Sequence, residues 1–192
     1  MKVFFKKSEK GSKGYIDAQK RFTVIRTLIY FLLSVSIFVM GYVSTKTRMN
    51  LLTVVAVLGC LPASKSMVNA IMFLKSRGCS DSLYQEVEKR AGGLTVCYDL
   101  FLTSYQKNFQ LSTVLLKGHN IVAMTETEKT DTAEAKKHIE ECLKIGGYQG
   151  YTVKVFQERE KFLNRIEQMC QTEENEPRDQ KEVIHTLLDI SL

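Results

Sequence analysis

Apolar positions dominate the chain from Thr23 to Leu74, broken once at Ser44-Thr45-Lys46-Thr47-Arg48-Met49-Asn50. Thr27 to Val43 carries no charge, and Thr23 to Ile25 extend that run past Arg26. The second run begins at Leu51 and ends at Leu74, with Lys65 as its one charge and Pro62 near its middle. A helix of about 20 apolar residues crosses a bilayer core. The pattern therefore predicts two transmembrane helices, about 23–43 and 51–74, joined as a hairpin. At about 1.5 Å per residue Lys65 lies roughly 21 Å in from Leu51. That leaves roughly 9 Å of a ~30 Å core, within reach of a snorkelling lysine. Arg26 falls at a similar depth on the first helix. Pro62 lacks an amide hydrogen and is expected to kink the second.

Beyond Leu74 the period changes. Ser80 or Asp81 can cap a helix to about Arg90, with Leu83 and Val87 as its buried stripe. Leu94 to Thr103 alternates, placing Leu94, Val96, Tyr98, Leu100 and Leu102 on one face of a strand. A loop over 104–110 leads to strands at Leu111–Leu116 and Ile121–Thr125, joined by the turn Lys117-Gly118-His119-Asn120. These three runs predict an antiparallel meander. Thr130 or Asp131 can cap the next helix, with Glu134 placed as in a capping box and Ala135, Ile139, Cys142 and Leu143 as the stripe. Gly146-Gly147 stops it, and Tyr151–Phe156 reads as a fourth strand. Gln157 to Gln171 is a further amphipathic helix. An acidic linker, Glu173-Glu174-Asn175-Glu176, precedes Pro177 and a last helix, Lys181 to Ile190, whose Val183, Ile184, Leu187 and Leu188 need a partner. The expected fold is α+β: an N-terminal two-helix transmembrane hairpin (23–74), then a small cytoplasmic domain (79–192) of order α-β-β-β-α-β-α-α. Residues 1–22 form a basic arm, read as flexible, as an interfacial segment or as an added strand of the domain. Its long charged region and the lack of a small-x-small site do not fit a cleavable signal.

Charge orients this arrangement. Residues 1–78 hold 13 Lys/Arg against 2 acids, a net +11, whereas residues 79–192 hold 14 against 19, a net −5. The split argues against nucleic-acid binding and for anionic lipid headgroups as the partner of the basic half. Cations gather before the first run and after the second, so both termini are expected in the cytoplasm of a two-span protein of the cell membrane. Arg26, Lys65, Lys75 and Arg77 are the expected membrane-interface residues. Cys60, Cys79, Cys97, Cys142 and Cys170 are odd in number and scattered, which suits a reducing compartment. His119, His138 and His185 are isolated, and no metal-ligand spacing, phosphate-binding loop or nucleophile elbow occurs, so no cofactor and no metal are expected.

The element order from Ser80 to Met169 resembles the core of the restriction-endonuclease-like fold. That resemblance implies an acid on one central strand and an acid-x-lysine on the next, binding magnesium beside a polarised water. Asp99 would be the first acid and Glu126 the second. The chain departs from the pattern at Glu128, where lysine is wanted, and Lys129 stands one residue further on. The preferred functional expectation is a membrane-anchored, non-catalytic adaptor or regulatory domain that meets another membrane or cytoplasmic protein. The rivals are a membrane-tethered degenerate nuclease and an accessory subunit of a transport complex. Ser34, Ser36, Gly41, Gly59 and Ala63 are small enough for close helix contact, which also admits a homo-oligomer.

Overall fold

The computed structural model describes residues 9–47, 50–104, 107–172 and 179–192. The Val3-Phe4-Phe5 cluster, Arg48 and Met49 of the interhelical loop, the acidic linker and Pro177 lie outside the described residues. The chain divides into two compact units, Ile16–Ser76 and, together, residues 9–15 and Arg77–Leu192.

The first unit is a pair of long helices, α1 (Tyr15–Thr45) and α2 (Leu51–Lys75). α1 begins eight residues before Thr23. Hydropathy alone missed this because the extension is largely polar, although Ile16 within it is buried and Asp17 in the first turn pairs with Lys20 at 2.9 Å. α2 is capped by Asn50, whose side chain accepts from the Thr53 amide, and it continues through Pro62. The helices meet antiparallel along a seam of small residues. A Cβ on Gly41 would stand 2.7 Å from Leu52 Cβ, and one on Gly59 would stand 2.9 Å from Ser34 Oγ. Thr27 Oγ1 and Ser66 Oγ share a hydrogen bond of 2.8 Å. Each of these levels is one heptad from the next, and Ala56, Ala63 and Ala70 are buried at the same spacing. Ser34, Gly41, Gly59 and Ala63 thus serve the pairing of α1 with α2 inside one chain, while Ser36 faces outward and bonds the Leu32 carbonyl. Most of the large apolar side chains away from the seam are exposed, Leu32, Val43, Leu51 and Leu61 by about two-thirds or more (67–79%). Both helices are long and apolar enough to cross a membrane.

The second unit is a four-stranded sheet in the order β1-β2-β3-β4, with β1 at Thr95–Thr103, β2 at Asn108–Lys117, β3 at Asn120–Met124 and β4 at Thr152–Phe156. The first three pair antiparallel, and β4 joins β3 in parallel after the crossover helix α4 (Thr132–Ile145). α3 (Asp81–Arg90) and α5 (Arg159–Gln171) cover one face around Leu83, Val87, Leu115, Phe162 and Ile166. α4 and α6 (Gln180–Asp189) cover the other around Leu111, Ile121, Ile139, Val153 and Val183. The domain is mixed helix and sheet in the expected order.

Three local readings differ. β2 starts three residues before Leu111, because Phe109 is core and Asn108 pairs with Thr103. Glu134 does not close a capping box but ion-pairs with Lys107 at 2.6 Å, while Asp131 alone accepts the Ala133 and Glu134 amides. Strand β1 does not keep its apolar residues on one face. Val96 and Tyr98 pack toward α3 and α5, whereas Leu100 and Leu102 pack toward α4 and α6. The switch falls at Asp99, whose φ of +57° is left-handed, and β2 changes face opposite it, between Leu111 and Val114, without losing register. The outward edge of β1 is closed by the chain itself. The Tyr98 amide donates to Gly11 O at 2.7 Å, Leu192 N–H donates to Phe101 O at 2.9 Å, and Ser191 bridges Leu102.

Candidate functional site

Where β1 and β2 change face, Asp99, Gln110, Ser112 and Thr113 are buried polar residues, as is Thr125 just after β3. A buried carboxylate must be satisfied by donors, and Asp99 finds them in the backbone. Its Oδ2 accepts the Gly14 amide at 2.7 Å and its Oδ1 accepts the Cys79 amide at 2.6 Å. Gly14 immediately precedes α1, and Gly11 and Gly14 both sit at φ +82°, the left-handed turns that bring this stretch to the sheet. Cys79 follows the end of α2 by four residues. One buried carboxylate therefore fixes both chain segments that flank the long helices, each on its own oxygen.

Glu126 acts on the next residue along. Its Oε2 accepts the Ser80 amide at 2.9 Å and its Oε1 accepts Ser80 Oγ at 2.5 Å. Ser80 is the N-cap of α3 and also accepts the Leu83 amide. Glu126 therefore places negative charge at a helix N-terminus, where the partial positive charge of the unpaired amides favours it. Asp99 and Glu126 are thus brought to consecutive residues, with Glu126 exposed and Asp99 buried. Lys129 stands in the exposed turn after β3. Lys13, one residue before Gly14, ion-pairs with Asp81 of α3 and lies 4.3 Å from the centre of the Tyr84 ring. The Asp81 hydrogen bond raises the Lys13 pKa.

Cys79 is buried here, with its Sγ 3.6 Å from Thr113 Oγ1. Burial raises its thiol pKa to about 11, with Glu126 and Asp99 adding to the effect. Burial does the same for Cys97, also to about 11. Tyr98 donates to Glu88 Oε1 at 2.7 Å, and burial followed by that bond pushes its phenol upward. All three groups are held protonated at neutral pH, the opposite of an activated nucleophile. Among the described residues no group of three or more His, Cys, Asp or Glu is placed to hold a metal.

The cations assigned to the membrane interface occupy distinct places. Arg26 Nε donates to Ser66 Oγ at 3.2 Å, so Arg26 and Lys65 stand at one level of the α1/α2 pair. Lys65 is exposed, as is Lys75, the last residue of α2. Arg77 belongs to the second unit, where its carbonyl accepts from Gln110 Nε2. Sequence reasoning singled out Asp99 and Glu126 as acids and Ser80 as a helix cap, but it did not bring Lys13, Gly14 or the Cys79 amide to them. Glycines at 11, 14 and 78 were the available signal, since they mark where backbone approaches the sheet; a Cβ on Gly78 would stand 3.3 Å from Asp99 Oδ1. No family model, no curated protein and no solved structure matches this chain.

Proposed function

We propose that the protein is a membrane-anchored, non-catalytic adaptor: α1 and α2 span the cell membrane as a hairpin, and the α+β domain works at the cytoplasmic surface. The observation that carries this reading is the exposure of the apolar faces of α1 and α2 away from their own seam. A core helix of a soluble domain would bury those faces. Twenty residues, about 30 Å of helix, separate Arg26 from Lys46, which matches the thickness of a hydrocarbon core. The excess of cations flanking the hairpin supports an inward domain and N-terminal arm.

Asp99 and Glu126 support the non-catalytic part. Both oxygens of each carboxylate accept from the chain's own amides or from Ser80, and Lys129 stands in the exposed turn after β3. Tethering confines the domain to a thin layer and raises its effective concentration for other proteins there. The net −5 of residues 79–192 favours basic partners. The terminal helix is no longer a reason to invoke one, because α6 buries Val183 and Leu187 in the domain's own core. The test is fractionation of cells expressing the full chain. Recovery only after detergent extraction is expected, and a monomer in the carbonate-washed soluble fraction would overturn the anchor. Calorimetric titration with Mg2+ is expected to give no heat; binding that Asp99→Asn abolishes would overturn the non-catalytic reading.

A further inference from the structure

No Asp or Glu occurs between Asp17 and Asp81. Arg26 is the one charged residue from Phe22 to Thr45, and Lys65 the one from Leu51 to Leu74. Neither joins an ion pair among the described residues. Each stands one position before a seam residue, Arg26 before Thr27 and Lys65 before Ser66, and those two share a hydrogen bond. In an antiparallel pair the helices are related by a two-fold axis normal to the plane of their axes, so residues at equivalent positions point to the same side. Arg26 and Lys65 therefore project from one face at one level. Arg26 confirms the direction, reaching across to Ser66 on one side and lying 5.6 Å from the Phe22 ring centre on the other.

From this geometry, and resting on the membrane reading above, we propose that Arg26 and Lys65 together hold the phosphate of one anionic phospholipid at the inner headgroup boundary. Two cations on an apolar face with no carboxylate of their own require an external counter-anion, and the lipid leaflet supplies one with its acyl chains laid along the exposed side chains of α1 and α2. Arginine contributes the planar fork suited to phosphate oxygens, and lysine contributes a movable point charge. Ser66 already accepts from Arg26 Nε, so the phosphate would be met by the two terminal nitrogens of the guanidinium.

The full chain, reconstituted into vesicles of phosphatidylcholine with a minor fraction of phosphatidylglycerol, is extracted in mild detergent, and its bound lipid is quantified. Wild type is expected to retain phosphatidylglycerol several-fold above its bulk ratio. Lys65→Met, which keeps length and apolar stem, should lose most of that enrichment, and Arg26→Gln with Lys65→Met should return it to the bulk ratio. Lys46→Gln, at the other end of the hairpin, should leave it unchanged. Wild type without enrichment, or a double variant that keeps it, overturns the proposal. Failure of the membrane reading shows separately, as wild type that does not enter phosphatidylcholine vesicles at all.

Discussion

At the residue scale, Asp99 ties the segments before α1 and after α2 to the sheet. It is 3% exposed, sits in the left-handed region and satisfies two amides separated in sequence by the whole helical pair. Asp99→Asn keeps the shape but replaces one acceptor by a donor facing an N–H. The expected cost is about 2 kcal/mol, in the range for a lost charge-assisted bond with an unsatisfied buried group. The check is hydrogen exchange, in which the Gly14 and Cys79 amides should lose protection while those of β3 keep it. Asp99→Gly separates strain from bonding: it relieves the left-handed backbone yet should show the same loss at Gly14 and Cys79. The thiols give a pH prediction. In the folded chain Cys79 and Cys97 are raised from the ordinary 9.0 to about 11, so folding favours their neutral forms. Their contribution to stability is complete below pH 9 and is lost as pH rises from 9 through 11. Denaturation midpoints should fall over that interval, and a thiol reagent at pH 8 should modify buried Cys79 only as fast as the domain opens.

The element scale is governed by the seam between α1 and α2. Its levels at Gly41/Leu52, Ser34/Gly59 and Thr27/Ser66 leave no room for larger side chains. Gly59→Val should destabilise the pair by about 1–3 kcal/mol through overpacking against Ser34, read as a lower melting temperature of the detergent-solubilised chain. A Thr27→Cys, Ser66→Cys double variant should form an intramolecular cross-link on mild oxidation, whereas Leu33→Cys with Met67→Cys, off the seam, should not. In the domain, Leu187 is 4% exposed beneath α6, and Leu187→Ala should cost about 2–4 kcal/mol by leaving a cavity. The apolar stripes of α3, α4, α5 and α6 were readable because each is a local repeat of three and four residues. The faces of β1 were not, because the alternation of Leu94, Val96, Tyr98, Leu100 and Leu102 looks regular in sequence. A left-handed residue at Asp99, opposed by a matching change in β2, moves the last two to the other core.

Across the whole molecule, the domain draws on chain from both sides of the helical pair. Residues 9–14 close the β1 edge through Gly11, and Lys10 Nζ donates to Ser191 O at 2.9 Å, tying the beginning of the described chain to its end. An open edge strand is a site for unwanted pairing. A chain in which residues 9–14 are replaced by a Gly/Ser linker should still partition to membranes, yet it should show faster exchange at Tyr98 and a greater tendency to aggregate once solubilised. Size-exclusion profiles of the two chains check this directly.

The sequence by itself determined what depends on local repetition: two apolar helices around one polar break, the order of helices and strands that follows, and the sign of charge in each half. Hydrophobic burial and helix or strand periodicity act between near neighbours, so they are written residue by residue. Only the tertiary structure decided what Asp99 and Glu126 hold, where residues 9–15 belong and that α6 is covered from within. Each of those outcomes is a contact across tens of residues, made because a buried carboxylate, an open strand edge or an apolar face must be satisfied by whatever donor, backbone or side chain the fold brings to it.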